Sequence, residues 1–112
     1  MHQIIKTFIG WIRGLFDKPY QPLKTGDELP KKLRLKVLYL LGDQDSLWQA
    51  AFICPCGCKE TIHLNLLTDE RPCWKVQFFT KNKVTLHPSI WRKIGCKSHF
   101  WLREGHIIWV KE

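Results

Sequence analysis

Three cysteines fall within five residues, Cys54-Pro55-Cys56-Gly57-Cys58, and this run constrains the chain more than any other feature. Cysteines so close together are poorly placed to bridge one another, and a total of five cannot all pair. A disulfide framework is therefore a poor description. Reduced thiols at this density point to a metal or to reactive thiolates in a cytosolic protein. The N-terminal apolar run has no small-residue cleavage site after it, so no signal peptide is read there and a cytoplasmic location is expected.

A structural zinc ion takes four tetrahedral ligands, usually thiolate and imidazole. Pro55 fixes φ and Gly57 permits unusual φ, and both help a tight turn to aim thiolates at one point. The complementary half is Gly95-Cys96-Lys97-Ser98-His99, roughly 40 residues further on. Two such knuckles closing across a sheet would hold Zn2+. The candidate ligands are Cys54, Cys56, Cys58 and Cys96, with Cys73 as a fifth that is either a ligand or a small buried thiol. His99 ligates only if the cysteines leave it a place. The same C-x-C and C-x-x-H runs share the two-loop layout of Rieske clusters, but the first loop carries no histidine.

With 112 residues, 45% hydrophobic and 25% charged, the chain has the balance of one folded domain with an appendage. Six Trp, six Phe and two Tyr offer an aromatic core, at a size where a metal often supplements it. Multi-domain enzymes and low-complexity tails are excluded. The net charge of +8 favours acidic partners without choosing among nucleic acid, an anionic membrane surface and an acidic protein. The cations are scattered rather than striped, from Lys31, Lys32, Arg34 and Lys36 to Lys81 and Lys83 and then Arg92, Lys93 and Lys97, which argues against nucleic acid.

Residues 3–16 place Ile4, Ile5, Phe8, Ile9, Ile12, Leu15 and Phe16 at helical spacing, and Asp17-Lys18-Pro19 ends the pattern. The expectation is an amphipathic helix over 1–18, too short to span a bilayer. It either packs on the domain or meets a membrane surface or a partner. Pro19, Pro22, Gly26 and Pro30 mark 19–33 as a linker. A zinc-binding β domain then fills 34–112, with strands at 34–41, 48–53, 61–66, 74–80, 84–86 and 106–110. The expected fold is mainly β, a small antiparallel sheet with zinc-knuckle loops preceded by the N-terminal helix. Strand alternation puts His63 on the polar face with Thr61 and Asn65. His87 sits in a turn before Pro88, and His2 and His106 read as surface residues.

Several runs occur in order: the stretch from Ala50 to Cys58, Ile62-His63-Leu64-Asn65-Leu66, Arg71-Pro72-Cys73-Trp74, Val84 to Arg92 with His87-Pro88-Ser89, and Gly95 to Trp101, closed by Gly105 and Trp109. This series resembles a family of short bacterial proteins of unknown function associated with ubiquitin-like conjugation operons. The resemblance covers roughly residues 35 to 110. It implies a metal-binding protein working beside a ubiquitin-like protein and its E1-like and E2-like enzymes, in antiphage defence. It further implies a deubiquitinase-like peptidase that trims a ubiquitin-like precursor or removes its adducts.

Acyl transfer requires a nucleophile, a base within reach, and donors for the oxyanion. The chain has three serines, Ser46, Ser89 and Ser98. Ser89 and Ser98 are the candidate nucleophiles, with His99 as base and His63 as an alternative. Ser98 and His99 are adjacent, so in an extended segment they point apart. The bland reading of Ser89 is a turn hydroxyl after Pro88, and that of Ser98 is a donor to a metal thiolate. Backbone N–H groups around Gly95 are candidate oxyanion donors, and Asp69 and Glu70 are candidate third members. Thiolate-rich zinc sites are structural rather than hydrolytic, so structural zinc with serine chemistry nearby is preferred over a zinc hydrolase. Cysteine nucleophiles at Cys73 or in the triplet rank lower. The alternative is a non-catalytic zinc-knuckle module that docks the ubiquitin-like protein or its conjugating enzymes.

Overall fold

Apolar residues alternating along extended segments set the architecture. In the computed structural model, which describes residues 18–80 and 83–110, every regular element is a strand. These are β1 (Gln21–Gly26), β2 (Val37–Gly42), β3 (Leu47–Ile53), β4 (Thr61–Asn65), β5 (Lys75–Thr80), β6 (Lys83–Trp91), β7 (His99–Arg103) and β8 (His106–Trp109). They form two four-stranded sheets, ordered β1-β2-β3-β4 and β5-β6-β7-β8.

One core joins the sheets. Leu38 and Leu40 of β2, Ala50 and Phe52 of β3, and Ile62 and Leu64 of β4 meet Val84, Leu86 and Ile90 of β6 and Phe100 and Leu102 of β7. These are alternate residues, as a strand with one face inward requires. Phe52 bridges the halves, edge-on to Tyr20 at 6.0 Å and to Phe100 at 6.1 Å between ring centroids. Each such ring stabilises the fold by about 1.5–3 kcal/mol through burial. Tyr20 is fixed from the other direction as well, because its N–H donates to the Gly105 carbonyl at 2.7 Å. Gly105 and Glu104 both have positive φ, the requirement of a two-residue hairpin turn between β7 and β8. A Cβ on Gly105 would lie 2.7 Å from Pro19 Cβ, so only glycine admits this approach.

The fold expectation needs correcting. Instead of one small antiparallel sheet there are two, and β1 runs parallel to β2. Gln21–Gly26 lies within the stretch expected to be a linker because Pro22 and Gly26 read as breakers. On an edge strand proline is tolerated, and β1 is an edge. No helix occurs among the described residues, and the expected amphipathic helix over 1–18 falls, Lys18 apart, outside them. β7, absent from the sequence reading, starts directly after the second cysteine run, where the loop pattern masked it. Among the described residues, no helix is long and apolar enough to cross a membrane.

Candidate active site and metal centre

Two loops, one from each sheet, carry four of the five cysteines. The first leaves β3 at Cys54 and returns to β4, closed by the Cys54 N–H donating to the Glu60 carbonyl at 2.8 Å. Gly57 turns it at φ 96°. The second leaves β6 and returns to β7, closed by the Arg92 N–H donating to the Ser98 carbonyl at 2.8 Å. In both, a backbone bond pins the loop base, and the thiols of the two loops converge.

The result gathers Cys54, Cys56, Cys58 and Cys96, whose Sγ atoms all lie within 4.8 Å of one another. Cys54 Sγ is 3.4 Å from Cys56 Sγ and 3.7 Å from Cys96 Sγ. Ligands about 2.3 Å from a tetrahedral zinc stand about 3.8 Å apart, so spacing and donor type fit a tetrahedral metal ion. Cys73 is elsewhere, on the β4–β5 connection, with its Sγ accepting from Arg71 Nη1 at 2.8 Å.

The surroundings favour thiolate at Cys96 and Cys56. The Ser98 hydroxyl lies 3.1 Å from Cys96 Sγ, and with the Ser98 backbone N–H it holds that thiol down to about 6. The same hydroxyl lowers Cys56. Burial instead pushes Cys54 up to about 12. Arg92 adds a fixed positive charge: Nη1 is 3.5 Å from Cys96 Sγ and 3.6 Å from Cys58 Sγ, while Nη2 bonds Glu60 Oε2 at 2.6 Å. Glu60 raises the guanidinium further above its usual range. Gly95 belongs to this neighbourhood, since a Cβ there would lie 3.5 Å from Glu60 Oε2.

Beside the second loop, Ser89 Oγ is 3.0 Å from His99 Nε2. An irregularity in the sheet makes that contact. Leu86 opposes Leu102 and Ile90 opposes Phe100, so three residues of β6, His87, Pro88 and Ser89, stand across from Trp101 alone. Such bulges re-aim side chains. Trp74 Nε1 donates to the Ser89 carbonyl at 3.3 Å and steadies the bulge. His99 sits opposite Trp91, whose ring stacks on it at 4.7 Å and 7°. Lys93 Nζ is 3.0 Å from the centroid of the same indole.

Of the sequence candidates, the structure therefore brings Ser89 to His99 and Ser98 to the thiolates. His63 of β4 is exposed, as strand alternation requires, and its Nδ1 lies 2.7 Å from Gln49 Nε2 on the neighbouring strand β3, in the sheet that does not carry Ser89. Asp69 and Glu70 lie on the β4–β5 connection, where Asn65 Nδ2 donates to the Glu70 carbonyl at 3.4 Å. Sequence reasoning missed Arg92, Glu60, Trp74 and Trp91 as site residues. Nothing in their local spacing marks them; only the closure of the two loops and the register of β6 with β7 does.

A hydroxyl on a histidine nitrogen is the pairing that nucleophilic hydrolysis uses, and the thiolate set suits a metal with no open position. A family model described as BubE, bacterial ubiquitination-like system serine protease, matches residues 25–110. No curated protein and no solved structure matches the chain.

Proposed function

The chain belongs to the BubE family of serine proteases of bacterial ubiquitination-like systems, and we propose that it cleaves the peptide or isopeptide bond at the C-terminus of a ubiquitin-like protein, with Ser89 as nucleophile and His99 as base. The observation that carries this reading is the 3.0 Å contact between Ser89 Oγ and His99 Nε2.

In this reading His99 Nε2 takes the Ser89 proton as Oγ attacks the carbonyl carbon. The C–N bond then breaks and His99 returns the proton to the departing amine. Water, deprotonated by His99, hydrolyses the Ser89 ester and regenerates the hydroxyl. Trp91 keeps the imidazole plane fixed by stacking, and Trp74 holds the Ser89 backbone. Positioning of this kind lowers the entropic part of the barrier.

We assign Cys54, Cys56, Cys58 and Cys96 as ligands of a structural zinc. When bound, zinc would supply a cross-link between the β3–β4 and β6–β7 loops and hence between the two sheets. Ser98 and Arg92 support those ligands, and Cys73 takes no part. The partners in this reading are a ubiquitin-like protein and its E1-like and E2-like enzymes, within a cytoplasmic antiphage pathway.

The test is incubation of the purified protein with a ubiquitin-like precursor bearing a C-terminal extension, followed by intact mass. A single cut that is lost in Ser89→Ala and kept in Ser98→Ala supports the assignment. A stable complex with no cut in any variant would make the protein a docking module instead.

A further inference from the structure

β5 is an edge of its sheet among the described residues, and the directions of its backbone groups can be worked out. Lys75 opposes His87. The next residue on β6, Pro88, has no N–H to give, so the ladder bonds at this end are exchanged by Lys75 and His87 themselves. Gln77, two residues on, also faces β6. Val76 and Phe78 therefore turn their N–H and C=O groups away from β6. Trp74 has the same parity and shows the outward direction directly, its N–H donating to the Asn65 carbonyl of β4 at 2.8 Å.

That outward edge opens into a groove of ≈ 1080 Å³. Four consecutive β5 residues, 75–78, line it. Successive side chains of a strand point to opposite faces, so a groove that touches all four is looking at the strand's edge. Its walls are mainly apolar, with Leu47, Leu66, Trp74 and Phe78 among them, and it ends on His87 and Pro88, the residues just before Ser89. Lys24, Arg71 and Lys75 line it against the single carboxylate of Asp45. Trp74 belongs to both places, as a wall of the groove and as the donor to the Ser89 carbonyl.

We infer that the β5 edge is the substrate-binding strand: an extended segment of the ubiquitin-like substrate next to the scissile bond adds to it as a further β-strand, through the outward groups of Val76 and Phe78. This rests on Ser89 being the nucleophile. Addition to a free edge gives affinity through main-chain bonds and leaves specificity to alternate side chains. The excess of cations selects a segment that is acidic or free of positive charge.

The test separates binding from chemistry by working in the Ser89→Ala background. The probe is the ubiquitin-like precursor with its C-terminal extension, and affinity is read by titration calorimetry. Val76→Pro deletes an outward N–H and leaves the ladder to β6 intact, a position where edge strands accept proline. It should weaken binding up to about tenfold, the scale of one backbone hydrogen bond. Phe78→Ala keeps the backbone, removes an exposed wall of the groove, and should weaken binding severalfold, so it decides the matter if Val76→Pro fails to fold. Unchanged affinity in the folded variants, or no binding of the precursor at all, overturns the edge assignment. Cleavage that persists in Ser89→Ala overturns the nucleophile instead and leaves the affinity result to be read separately.

Discussion

The cysteine cluster takes Cys96 from the β6–β7 connection and the Ser89–His99 pair straddles it, but the two are built by different means. The cluster is made by loops: each knuckle carries its own turn residues and its own closing backbone bond. The pair is made by strand register, with one partner lifted by a bulge in β6 and the other placed at the first residue of β7. The cluster is therefore specified largely by local turns. The hydroxyl–imidazole contact is specified only when two strands pair with an offset that neither carries by itself.

If the two centres are independent, removing one should leave the other undamaged. Ser89→Ala should reduce precursor cleavage by at least about 10³-fold, the scale lost when a covalent nucleophile is deleted. Metal content and the thermal midpoint should be unchanged, since the Ser89 hydroxyl bonds His99 and not a cysteine. A large fall in bound metal would mean that the two centres are one structural unit.

The reverse experiment should not be symmetric. Stripping metal with a chelator, or Cys96→Ala, should cost stability on the order of several kcal/mol, because the ligands come from both sheets and their bond is part of folding. Activity should fall with it, since Cys96 is only three residues from His99 in the loop that delivers the imidazole. Melting followed by circular dichroism, with metal quantified by mass spectrometry, checks both. Full activity in a metal-free protein would show that the β6–β7 register alone places His99.

How far the sequence could be read follows from the same distinction. The cysteine run was visible because three of the converging thiols lie within five residues, and Cys96 because it stands in a short motif after Gly95; four of the five candidate cysteines converge. Cys73 had a plausible neighbourhood but no partner loop, and it bonds Arg71 instead. The mainly β character was legible from alternation, whereas the division into two sheets was not. It depends on β1, whose Pro22 and Gly26 disguise an edge strand, and on β7, which begins inside a chemical motif. Ser89 and His99 could be nominated as residue types, but the choice of Ser89 over Ser98 as the partner of His99 needed the bulge opposite Trp101. Arg92 and Trp91 were invisible because their roles come from side-chain contacts across loops and strands.

Arg92 sharpens the metal side. Arg92→Leu removes the guanidinium from Cys58 and Cys96 and leaves Glu60 near the thiolates. Outer-shell partners of this type change metal affinity by about 10–100-fold. Competition with a coloured zinc chelator should show a loss in that range, with Ser98→Ala toward its lower end because a hydroxyl carries no charge. Cleavage at saturating zinc should be close to that of the unaltered protein for both variants.

Trp91 sharpens the other side, with the smallest effect. Its indole covers the His99 imidazole face to face and is itself half exposed, so replacing it does not open the core. The lost stacking is worth about 0.5–1.5 kcal/mol. If that energy serves to hold the imidazole in line with Ser89, Trp91→Ala should lower kcat severalfold and leave KM and metal affinity unchanged, and Trp91→Phe should recover most of the loss. A fall in KM-dependent binding with kcat intact would place Trp91 against the substrate rather than behind the base. A loss of metal would show that the β6–β7 connection relays strain from one centre to the other, which the separate closing bond from Arg92 to Ser98 argues against.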